Sequence, residues 1–82
     1  MKDYFDKNNT KIQDEDYILV DEKVCQALRC EDNTLLYEEL YYSNNRLNLA
    51  DNPKYPDFYD NKEVEIINYE KAIHHLSKSQ LK

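Results

Sequence analysis

Apolar residues fall in short runs with a period of two, separated by polar clusters, and this pattern predicts strands. Tyr17-Ile18-Leu19-Val20 is the first dense run, aromatic and β-branched. The tight turn Asp14-Glu15-Asp16 leads into it and Asp21-Glu22-Lys23 ends it. Val24–Cys30 reads as a second strand, although Val24, Ala27 and Leu28 also fit one helical face. Glu31-Asp32-Asn33 is a turn with Asn33 as its left-handed residue. Thr34–Tyr42 is the longest β-like run, and Ser43-Asn44-Asn45 closes it as a hairpin onto Arg46–Ala50.

In that last segment Leu47 and Leu49 alternate with Arg46, Asn48 and Ala50. Asp51-Asn52-Pro53 and Tyr55-Pro56 are then expected to stop the pairing, because proline lacks an N–H and restricts the residue before it. Both prolines lie here, which makes the stretch a rigid corner setting the register for the other strands. Val64-Glu65-Ile66-Ile67 reads as a further strand.

The tail from Asn68 reads two ways. Asn68 can cap a helix with Tyr69, Ala72, Ile73 and Leu76 as its apolar stripe, or Lys71–Leu76 can continue the sheet. Local rules favour the helix. Residues 1–11 are polar and aperiodic and are expected to form a flexible arm. Residues 12–82 form one domain. The expected fold is mainly β: a small, bent antiparallel sheet of five or six strands, with a helix as one ending of the chain.

Composition narrows the function. The chain has 82 residues and a net charge of −6. That argues against direct nucleic-acid binding, which needs clustered Lys and Arg. It permits a basic protein partner or mimicry of DNA. No apolar run reaches membrane length and no signal-peptide core is visible, so a cytoplasmic protein without membrane contact is expected. Cys25 and Cys30 are expected to be reduced, buried and unbridged. Glycine is absent, so Asn and Asp must supply the left-handed turn positions. Eight tyrosines suit both strands and interfaces.

Four stretches together resemble one family. Ile12–Asp21, Leu35–Tyr41, Leu47–Pro56 and Glu63–Ile67 are similar, in order and spacing, to segments of the C-terminal domain of LexA, UmuD and phage repressors, which are self-cleaving Ser-Lys peptidases. Leu47–Pro56 is the most specific match, and the likeness covers residues 12–76. It implies a truncated form of that domain. Lys7 stands where the family has its nucleophilic serine, and Glu38 where it has its general-base lysine. The chemistry needs a hydroxyl activated by a neutral amine, and this pair supplies neither. An ion pair between Lys7 and Glu38 at the former active site is one expectation. The family's cleavage bond requires a glycine that the chain lacks. A domain with no enzymatic activity, no cofactor and no DNA reader of its own is therefore expected.

The resemblance further implies pairing through the C-terminal strand region, here about residues 64–76. The expected function is a bacterial transcriptional corepressor that binds a LexA- or UmuD-like repressor and modulates the DNA-damage (SOS) response. Pairing with itself stays open. The expected contacts are Tyr69, Ile73, His75 and Leu76, followed by Tyr41, Tyr42 and Tyr59. The alternative is a phage-type antirepressor or inhibitor whose acidic surface mimics DNA. Other chemistry is poorly supported. His74 and His75 diverge on either a helix or a strand, so no metal site is expected. Asp14, Asp16, Asp51, Asp57 and Asp60 lack the spaced calcium loop with its glycine.

Overall fold

The structure is a computed structural model that describes residues 3–60 and 62–80. Five strands, β1 (Tyr17–Val20), β2 (Lys23–Arg29), β3 (Leu35–Ser43), β4 (Arg46–Lys54) and β5 (Val64–Ile67), are followed by the helix α1 (Tyr69–Gln80). A short 3-10 turn, Pro56–Tyr59, lies between β4 and β5. The strands form one sheet in the order β4-β3-β2-β1-β5, with every neighbouring pair antiparallel. β1 to β4 run as a meander, and β5 returns to pair with β1.

The turns explain how a glycine-free chain makes these reversals. Among the described residues eight take positive φ, five of them in the reversals that join β1 to β2, β2 to β3 and β3 to β4. Asn44 (55°) and Asn45 (62°) form the two-residue link between β3 and β4, as their sequence predicts. Asp21 (51°) and Glu22 (65°) do the same between β1 and β2. Asn33 (71°) turns β2 into β3, and the Asp32 carboxylate accepts the Thr34 N–H at 3.0 Å. The tail is helical rather than a strand. Asn68 caps it, its side-chain oxygen accepting the Lys71 N–H at 2.7 Å.

The sheet is covered on both faces. On one, Ile12, Ile18, Val20, Cys25, Ala27, Leu35, Tyr37 and Tyr59 form the larger core. On the other, α1 lies over Val24, Leu40 and Ile67 through Ala72, with Leu76 and Leu47 packed beside it. The alternation along each strand divides its side chains between these two cores, which is why Ile18 and Leu19 serve opposite faces. Among the described residues, no helix is long and apolar enough to cross a membrane.

Three expectations are corrected. β4 does not stop at Ala50 but runs to Lys54, with a register irregularity opposite Glu38–Leu40 and Asp51 at φ 56°. It is one of the two edge strands, where a proline can sit without breaking a central ladder. The Leu47–Leu49 stretch is therefore the rim of the sheet and not its frame. Residues 3–11 are not a loose arm. Phe5 bridges to Lys11, Ile12 N–H donates to the Tyr4 carbonyl at 2.8 Å, and Ile12 is 1% exposed. Their polar sequence hid this because the segment is also held by long-range hydrogen bonds to β5, from Lys7 N–H to the Val64 carbonyl and from Ile66 N–H to the Asp6 carboxylate. Met1 and Lys2 lie outside the described residues. Finally, Cys25 is buried but Cys30 is exposed, because β2 ends at Arg29 and Cys30 begins a turn.

Candidate functional site

Lys7 and Glu38 do not meet. Lys7 sits beside β5, its ammonium 3.6 Å from Glu65 and 3.9 Å from Glu63. Glu38 lies on β3, buried between Gln26 of β2 and Pro53 of β4, and accepts the Asn52 N–H at 3.2 Å. β1 and β2 separate β3 from β5, a gap of three strand spacings or about 14 Å. No ion pair forms there, because β5 folds back beside β1 and carries Lys7 with it. The two positions do not build a common site.

The expected contact residues separate into two groups. Tyr59 is in the core, 5% exposed, its ring stacked on Tyr37 at 5.9 Å. Burial and the neighbouring Cys25 push its hydroxyl up to about 12. It has no surface to offer a partner. Leu76 packs against the core under α1, and Ile73 is half-buried. The helical stripe read as a contact surface is thus largely the stripe that seats the helix. His75 is half-buried as well, with Nε2 3.1 Å from the Glu22 carbonyl oxygen. Tyr69 is 45% exposed at the start of α1, and its ring lies 5.7 Å from that of Tyr17. Tyr41 is also 45% exposed, and Tyr42 is half-buried on β3.

Among the described residues the two most exposed large apolar side chains, Tyr55 and Phe58, lie elsewhere, just beyond β4, while Phe5 is 52% exposed on the N-terminal segment. Leu49 is 51% exposed, Tyr55 63% and Phe58 66%. Phe58 stands edge-on to Tyr59 at 5.0 Å, and the Lys54 ammonium is 5.5 Å from its ring centroid. A cleft of about 530 Å³ opens beside Tyr55, lined also by Tyr4, Asp32, Leu35 and Asp57. The Tyr4 hydroxyl donates to Asp57 across it at 3.2 Å. Sequence reasoning missed this surface because it assigned Tyr55 and Pro56 to a structural corner. The available signal was Tyr55 and Phe58 on either side of a proline that fixes the backbone.

No match is found among protein-family models, curated proteins or solved structures.

A second cleft, of about 440 Å³, lies between the β1–β2 turn, β5 and α1. Asp21, Glu22, Glu63 and Glu65 line it along with Lys7, Lys62 and His75. The lysines are engaged: Lys62 lies 3.6 Å from Asp21, and Lys71 lies 3.3 Å from Glu65. Lys71 and Lys7 hold the Glu65 carboxyl below its ordinary range. These ion pairs are exposed and each contributes little to stability. Among the described residues, no group of three or more His, Cys, Asp or Glu side chains is placed to hold a metal ion.

Proposed function

We propose that the protein is a non-enzymatic binding module whose partner is a LexA- or UmuD-like repressor, and that it acts as a corepressor in the DNA-damage response. The choice of repressor rests on the sequence likeness over residues 12–76. The observation that carries a protein-binding role is the pair of strongly exposed aromatic side chains Tyr55 and Phe58, on a compact acidic domain. Aromatic side chains of this kind bury much area for little lost freedom and are enriched where proteins meet. The altered Lys7 and Glu38 positions contribute nothing to this reading, since they build no site.

The test is calorimetric titration of the purified chain into a purified LexA/UmuD-type repressor from the same genome. Saturable binding is expected, weakened tenfold or more by the double change Tyr55→Ala and Phe58→Ala, with the circular-dichroism spectrum unchanged. Absence of binding, or binding indifferent to both changes, rejects the proposal.

The net charge of −6 favours a second reading, an antirepressor that imitates DNA. That reading expects affinity to fall steeply with salt and to be lost when operator DNA is added. Corepression expects weak salt dependence, with the repressor still on its operator.

A further inference from the structure

The two outer edges of the sheet are treated differently. At β5, residues from the N-terminal segment occupy the edge. Lys7 N–H donates to the Val64 carbonyl at 2.7 Å, and Ile66 N–H donates to the Asp6 carboxylate at 3.1 Å. The same carboxylate accepts the N–H groups of Asn8 and Thr10, each at 2.9 Å, which fixes it in place. An inward charge laid on a strand edge blocks further pairing.

At β4 the edge is open over a short stretch. Ser43 and Arg46 flank the two-residue turn, so they form a hydrogen-bonded pair. Bonded and non-bonded pairs alternate in an antiparallel ladder. Tyr41 and Asn48 are then the next bonded pair, whereas Leu47 and Leu49, opposite Tyr42 and Leu40, turn their N–H and C=O groups away from β3. Leu49 is half exposed on the same side. Beyond Ala50 the open run ends, because Asp51 takes a positive φ and Pro53 has no N–H.

We infer that this stretch is a homodimer interface, in which β4 pairs antiparallel with β4 of a second copy about a twofold axis through Asn48. Leu47 of each copy then lies opposite Leu49 of the other. That register joins the outward-facing residues to each other, as hydrogen-bonded pairs require. It also covers the exposed half of Leu49 with leucine. Arg46 faces Ala50 and Asn45 faces Asp51, so no like charges are opposed. β4 carries Arg46 and Lys54 against the single anion Asp51, on a chain of net charge −6, so this edge adds no anionic repulsion between two copies. Head-to-tail pairing of β4 with β5 would propagate without end, and Asp6 occupies the edge it needs. The self-complementary pairing that closes is the one that remains.

Sedimentation velocity over a wide concentration range tests this. The mass should rise from one chain to two, and Leu49→Lys should keep the chain monomeric with an unchanged circular-dichroism spectrum. As a second readout, Asn48→Cys in a Cys30→Ser background should cross-link into a dimer under mild oxidation. Residues directly opposite at a non-bonded position have Cα atoms about 4.5 Å apart, within disulfide reach. A single-chain mass at every concentration overturns the inference. So does a dimer that survives Leu49→Lys, or one that does not cross-link through position 48. A native chain that stays monomeric at every concentration yet binds the repressor would overturn this inference alone and leave the proposed function standing.

Discussion

The carboxylate of Asp6 accepts the backbone N–H of Ile66 at 3.1 Å, across 60 residues of sequence. This bond ties the N-terminal segment to β5 and closes that edge of the sheet. Asp6 is 8% exposed and satisfies three backbone donors, at Asn8, Thr10 and Ile66. Removing it would leave them competing for water in a partly buried place.

Asp6→Ala should therefore destabilise the fold by about 1–3 kcal/mol, the cost of orphaning buried donors. Urea unfolding monitored by circular dichroism measures it. Asp6→Asn keeps an acceptor oxygen and should cost less. Equal stability of all three chains would show that water replaces the carboxylate freely.

Asp6 also predicts a pH dependence. Burial alone would raise its pKa, but the N–H groups of Thr10, Ile66 and Asn8 outweigh burial and hold the carboxyl below its ordinary value. A lowered folded pKa stabilises the fold above the unfolded value, about 3.9, and the contribution is lost as pH falls through the folded one. Acid unfolding should steepen below about pH 4 in the native chain and be flatter in Asp6→Asn. Parallel acid curves would contradict the assignment.

Glu22 holds φ at 65° in the β1–β2 turn, where a side chain crowds the following carbonyl. Relieving that strain is worth about 1–2 kcal/mol, less about 0.5–1 kcal/mol for the freer unfolded chain that glycine brings. Glu22→Gly should stabilise by roughly 0.5–1 kcal/mol on that balance, and Glu22→Ala should not. Thermal unfolding of both variants checks it.

The two thiols should differ. Cys25 is fully buried on β2, and burial, with Glu39 beside it, pushes its thiol up to about 12. Cys30 is exposed in the following turn. A chromogenic disulfide reagent near neutral pH should titrate one thiol in the native chain and two in denaturant. Two fast thiols in the native chain would mean that β2 opens readily.

How legible these features were depended on how local their causes are. Tyr17–Val20 and Val64–Ile67 could be read residue by residue, because a dense β-branched run bounded by polar clusters is self-contained information. The Asn44-Asn45 turn and the Asn68 cap were legible for the same reason. The length of β4 was not: whether Pro53 ends a strand depends on which edge of the sheet it occupies, and pairing order is not a local property. The role of Asp6 was invisible, since its partner at Ile66 is brought in by the closing of β5 onto β1. The helical stripe of Ile73 and Leu76 was found, but its burial against the sheet was not. Periodicity shows that a face is apolar, not what covers it.

Backbone amide exchange, followed residue by residue in dilute and concentrated samples, tests the contrast between the two edges most directly. Ile66 should exchange slowly at both concentrations, while Leu47 and Leu49 should exchange fast when dilute and slowly when concentrated. Fast exchange at Ile66, or amides at Leu47 and Leu49 that ignore concentration, would contradict a sheet sealed on one side and open to its own copy on the other.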